Sequence, residues 1–193
     1  MSASADPDAR LVAGLWRVVA AHGWYGLTLR RVAGAAGLPM EWVRQRSPTP
    51  LDLLRLHVEV IDRAVLRGTV AGQGESPRDR IFDVLMRRLD AMQPHRPGLV
   101  RFLDELRGDP PIALFVLGLL PRSMAWMLEA AELDTTGLAG VARIQGLVAV
   151  WLATLRAWLA DDSPDLGATM AALDRALDRA EQVARSIGLP AGG

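Results

Sequence analysis

An all-α fold of about nine helices is predicted for this chain of 193 residues by three observations. Helix-start signals recur along it, apolar residues return at three- and four-residue spacing, and strand signals are nearly missing. The start signals share one grammar. Thr49-Pro50-Leu51-Asp52 and Ser76-Pro77-Arg78-Asp79 each offer a hydroxyl cap, a proline at the first helical position and an acid two places on. The hydroxyl satisfies an orphan amide, proline lacks that amide anyway, and the acid suits the positive helix end. Asp109-Pro110 and Ser163-Pro164-Asp165 repeat the theme.

Taken in order, the predicted helices run over about Asp8–His22, Thr28–Ala35, Pro39–Arg46, Pro50–Thr69, Pro77–Gln93, Pro97–Arg107, Pro110–Leu133, Leu138–Ala160 and Pro164–Ile187. The fifth carries Ile81, Val84, Leu85, Leu89 and Met92 on one face, with Asp83, Arg87, Arg88 and Asp90 opposite. The sixth turns Leu99, Phe102, Leu103 and Leu106 inward. The seventh is apolar nearly all round from Ile112 to Leu120, and Pro121 should bend it. Nine residues are too few to span a bilayer, which needs roughly 20; the run reads as a buried core helix or the wall of an apolar cavity. The eighth is apolar over more than one stripe, through Ile144, Leu147, Val148, Trp151, Leu155, Trp158 and Leu159. A wide stripe needs two partners, which points to a homodimer through the last two helices.

The segment from Thr28 to Arg46 has the spacing of a helix-turn-helix. Ala33 is small where two helices cross, Gly37 supplies a left-handed turn, and Val43 packs the second helix on the first. The predicted seam follows it, giving a head at 1–49 and a ligand-binding and dimerisation bundle at 50–193. Across Leu11–His57, through Gly23-Trp24-Tyr25-Gly26-Leu27-Thr28-Leu29-Arg30-Arg31-Val32-Ala33 and Ala36-Gly37-Leu38, the chain resembles the TetR family. The resemblance implies a TetR-like fold, dimers, and a second motif helix in the major groove. The DNA-facing candidates are Thr28, Arg30, Arg31, Met40, Glu41, Trp42, Arg44, Gln45 and Arg46. The sequence departs from the family where Tyr, an aromatic and Ser-Lys usually open the fourth helix; here stand Arg44, Ser47 and Thr49-Pro50.

From Arg80 to about Ala184 the chain also resembles the C-terminal domain of the lipid-binding ubiquinone-biosynthesis accessory family. The residues that carry this are Arg80-Ile81-Phe82-Asp83-Val84-Leu85-Met86, Ser123-Met124-Ala125-Trp126-Met127-Leu128-Glu129, Trp158-Leu159-Ala160-Asp161-Asp162-Ser163-Pro164-Asp165 and Thr169-Met170-Ala171-Ala172-Leu173-Asp174-Arg175. This implies an apolar cavity for an isoprenoid quinone precursor or other lipid, presented to a ubiquinone-pathway hydroxylase at the inner membrane surface. Flexible Met beside large aromatics suits such a pocket, with Phe102, Phe115, Leu119, Met124, Trp126, Met127 and Trp151 as its expected lining. The main functional expectation is thus a quinone-accessory protein. The alternative is a ligand-responsive DNA-binding repressor of TetR type, its pocket filled by an apolar inducer.

Composition narrows the classes further. The formal net charge is +0, so any nucleic-acid role rests on a local patch. All 22 basic residues are Arg, and Thr28–Arg46 holds four of them against Glu41 alone. With no Cys there is no disulfide or thiolate chemistry. His22, His57 and His95 are scattered, without metal-ligand spacing. Walker loop, nucleophile elbow and dinucleotide fingerprint are absent from the sequence, so no enzyme, cofactor or metal is expected. The polar start from Met1 to Arg10 lacks a leader-like apolar run, and a cytoplasmic protein is expected.

Overall fold

A computed structural model describes residues 6–70, 72 and 76–188. The segment Met1–Ala5, read above for a leader, lies outside them. Among the described residues there are nine α-helices and no strand: α1 (Pro7–His22), α2 (Leu29–Ala36), α3 (Met40–Arg46), α4 (Pro50–Gly68), α5 (Pro77–Met92), α6 (Arg96–Glu105), α7 (Pro110–Ala130), α8 (Gly137–Ala160) and α9 (Gly167–Ser186). Short 3-10 turns at Gln93–His95 and Leu106–Gly108 flank α6.

The caps work as the sequence suggested. Thr49 Oγ1 accepts from the Asp52 amide at 3.3 Å while Asp52 Oδ2 accepts from the Thr49 amide at 3.1 Å. Ser76 Oγ likewise accepts from the Asp79 amide at 3.1 Å. These bonds satisfy orphan donors at the starts of α4 and α5. α1 shows the same grammar in Asp6-Pro7-Asp8, with Asp6 accepting from the Asp8 amide.

The ninth start is a correction. Ser163-Pro164-Asp165 forms a turn, and α9 begins only at Gly167 because Leu166 sits in the left-handed region at φ 53°. Asp161 supplies the cap instead. Its Oδ2 accepts from the Thr169 amide at 2.8 Å and the Thr169 hydroxyl at 2.7 Å, while its Oδ1 accepts from Ser163. Hydrogen bonds from the Ser163 and Thr169 hydroxyls, then the Thr169 amide, hold the Asp161 carboxyl well below the usual carboxylate range.

The chain forms two compact units, residues 1–64 with 90–119, and 65–89 with 120–193. In the first, α1 packs on α2 and α6, and α2 on α3. Leu11, Leu15, Val19, Val32, Val43, Leu53 and Ile61 are buried there. Gly98 lets α6 approach α1: a Cβ at this position would overlap the Trp16 carbonyl oxygen. Beside that approach lies an aromatic cluster. Phe102 meets Trp16 edge-on at 5.7 Å and Trp24 at 5.0 Å. The buried Trp16 indole N–H donates to His57 Nδ1 at 3.1 Å. His57 is therefore a structural acceptor.

In the second unit α8 packs on α9. Val84, Leu85, Leu89, Met124, Met127, Leu147, Trp151, Trp158 and Leu173 are buried. Arg78 ties α5 to α9 through Asp174 at 2.6 Å and Asp178 at 2.8 Å.

The seventh helix runs from Pro110 to Ala130 with Pro121 inside it; what it corrects is the expected burial of its apolar run. Within the apolar run, Leu114 is 69% exposed and Leu117 43%, and Leu120 alone is buried. A helix apolar all round is ordinarily buried, in a core or a membrane, so Leu114 and Leu117 are apolar surface left uncovered within this chain. α7 and α8 are long and apolar enough to cross a membrane by length and composition, each with mean hydropathy 1.6 over its most apolar window.

Candidate nucleic-acid interface and apolar groove

Thr28 is extended (φ −132°, ψ 145°), and its Oγ1 accepts from the Arg31 amide at 3.2 Å, which starts α2. Gly37 ends it in the left-handed region (φ 62°, ψ 40°), the conformation that the sequence required of a glycine here. The Leu38 amide donates back to the Ala33 carbonyl at 3.0 Å. Two arginines of α1 finish the turn. Arg10 donates to the Ala36 and Gly37 carbonyls at 3.0 and 2.6 Å, and Arg17 to the Ala35 carbonyl. Carbonyls orphaned at the end of α2 thus meet cations, which the helix dipole favours. Sequence reasoning missed this clamp. Its signal was the seven-residue spacing of Arg10 and Arg17, two turns apart on one face.

On α3, Val43 alone is buried. Met40, Glu41, Arg44 and Gln45 are exposed, and Trp42 and Arg46 half-buried. The basic residues divide into two groups. Arg46 donates to Asp8 at 2.9 and 3.1 Å and to Glu59 at 2.8 Å. Arg63 meets the same Asp8 at 2.8 Å. Burial opposes the charge on Asp8, yet the hydrogen bonds from Arg46 and Arg63 prevail and hold its carboxyl below the ordinary value of 3.8. Arg46, expected to hold phosphate, joins the end of α3 to α1 and α4 through these ion pairs. Arg31 donates to the Gly26 carbonyl. Arg30 and Arg44, among the described residues, have no hydrogen bond or ion pair within the chain.

The seven residues expected to line an apolar pocket fall in both units, Phe102, Phe115 and Leu119 in the first and Met124, Trp126, Met127 and Trp151 in the second. Phe102 belongs to the aromatic cluster, and Phe115 is half-buried with the Arg55 guanidinium 4.7 Å above its ring. Leu119 is half-buried and Trp126 is 43% exposed. Met124, Met127 and Trp151 are buried in the second unit, where the Arg88 guanidinium lies 5.0 Å over the Trp151 ring. The second unit also carries an apolar groove of about 640 Å³ along α8 and α9, and none of those seven residues lines it. Small residues floor it, among them Ala142, Gly146, Ala149 and Ala153 on α8 and Ala176 and Ala180 on α9.

No family model matches the chain, and no curated protein matches it. Solved structures do. A TetR transcriptional regulator from Nitrosomonas europaea superposes with TM-score 0.70 at 21% identity, covering 91% of this chain and 98% of that one. A TetR transcriptional regulator from Rhodococcus sp. RHA1 gives 0.62 at 19%, covering 90% and 94%. The fold is TetR-like. The whole-chain likeness runs to proteins described as transcriptional regulators, and this overturns the quinone-accessory expectation; it lends no support to a hydroxylase partner or an inner-membrane location.

Proposed function

We propose that this TetR-like chain is a ligand-responsive DNA-binding repressor acting as a homodimer in the cytoplasm, and not an enzyme. The carrying observation is a helix-turn-helix whose structural demands are met from within, while the outward face of its second helix keeps Arg44 without an internal partner. Such a helix enters the major groove while neighbouring cations hold phosphate. Arg30 and Arg31 supply those cations, Arg44 and Glu41 face the groove, and Thr28 positions the first motif helix. The division of roles places DNA reading in 1–49 and ligand holding and dimerisation in 50–193.

The α8–α9 groove is the dimer face in this reading. Leu138, Val141, Leu152, Val183 and Ile187 are exposed on or beside these two helices, an apolar area that a second copy would cover. Alanine and glycine on the floor let partner helices approach closely, and two helices from each chain make a four-helix interface. For the ligand we favour the neighbourhood of Met124, Met127 and Trp151, where flexible thioethers can repack around an apolar molecule.

The test is fluorescence anisotropy on the DNA upstream of the protein's own gene, from about 50 to 200 mM salt, with mass measured by light scattering. Arg30 and Arg31 in each of two protomers give a slope of log affinity against log salt of about −4. Arg30→Ala removes one phosphate-neutralising charge per protomer and should flatten the slope by about 2. A monomer that retains no DNA at the lowest salt overturns the reading.

A further inference from the structure

We infer that α3 reads a G·C pair in each half-site, Arg44 donating to guanine and Glu41 accepting from cytosine. The inference rests on the DNA-binding reading above and adds the sequence that is read.

The seven-residue α3 has little to offer a groove beyond one face. Val43 is spent on packing, and Arg46 is taken by Asp8 and Glu59. That leaves Met40, Glu41, Arg44 and Gln45 exposed. Glu41 and Arg44 lie three residues apart, so their side chains share a face and opposite charges can meet there. Yet among the described residues neither is engaged within the chain. Both charges remain available to an outside group.

In the major groove guanine offers two acceptors, O6 and N7, and cytosine offers one donor, its N4 amine. Guanidinium is a forked donor without an acceptor, and fits the first. An ionised carboxylate only accepts, and fits the second. Neighbouring side chains on a helix face stand about 5–6 Å apart at Cβ, close enough to reach the two edges of one pair or of adjoining pairs. Glu41 also weighs against wrong sites. An acid gains nothing from phosphate, and facing a thymine O4 or a guanine O6 it meets another acceptor, so it penalises sequences that lack the amine. Arg30, exposed on α2, supplies charge without this pairing and serves as the control.

The experiment is selection of binding sites by the full-length protein from a randomised duplex library, followed by affinities for the selected site and its single-pair variants. A G·C pair at one position of each half-site is expected. Arg44→Ala should weaken the selected site by about 5- to 150-fold and lose the preference at that position. Glu41→Ala should relax the cytosine preference while raising affinity for unselected DNA. Arg30→Ala should weaken all sequences alike, and circular dichroism should show every variant folded. A consensus without that pair, or one that survives unchanged in both α3 variants, overturns this inference and leaves the regulator reading standing. Failure to select any sequence overturns both.

Discussion

Asp8→Asn tests how the end of α3 is held. Asp8 sits in the first turn of α1 with a side chain 12% exposed, accepting two bonds from Arg46 and one from Arg63. A buried hydrogen bond to a charged group contributes about 1.5–3 kcal/mol net. The arginines are 35% and 42% exposed, so solvent screens them toward the range of about 0–1 kcal/mol found for surface pairs. Asn keeps one acceptor oxygen but turns an amide against a guanidinium. Weighing three bonds between these limits gives about 2 kcal/mol for the substitution. At this chain length that is a fall of roughly 4–8 °C in Tm. The sign with pH follows from the lowered Asp8 carboxyl: its contribution is present above the ordinary value of 3.8 and is lost as pH falls through and below it. The gap between wild type and variant in urea unfolding should thus be full near neutral pH and close in acid. A neutral-pH difference under about 0.5 kcal/mol, the size of an ordinary surface change, would refute the account of Asp8 as a buried hub.

Gly98→Ala should cost about 1–3 kcal/mol, since the added methyl would meet the Trp16 carbonyl and α1 must part from α6; an unchanged Tm would show that the two helices can separate freely. Asp161→Asn should loosen the first turn of α9, read as faster amide exchange at Thr169 than in wild type. Its effect is greatest above the ordinary carboxylate range and fades as pH falls below it, because the folded carboxyl is held low. Exchange at Thr169 that matches wild type at neutral pH would remove Asp161 as the cap.

The local chemistry of the chain was legible without its structure. Thr49-Pro50 and Ser76-Pro77 start helices because cap and proline act within one turn, and Gly37 takes φ 62° because a left-handed helix end favours the residue without a Cβ. The helix-turn-helix and the all-α fold follow from such signals summed along the chain. Three matters were visible only in the tertiary structure, because they depend on what lies beside a residue and not on its neighbours in sequence. Arg46 reads from sequence as a free cation, but Asp8, 38 residues away, pairs with it. The packing of the Phe102 ring against Trp16 depends on Gly98, which lets α6 approach α1 closely. The run Ile112–Leu120 looked buried, yet periodicity reports how apolar a helix is and not whether anything is present to cover it. At Pro164 even a local rule failed: the cap passed to Asp161, because Leu166 turns the backbone left-handed and sets Thr169 within its reach.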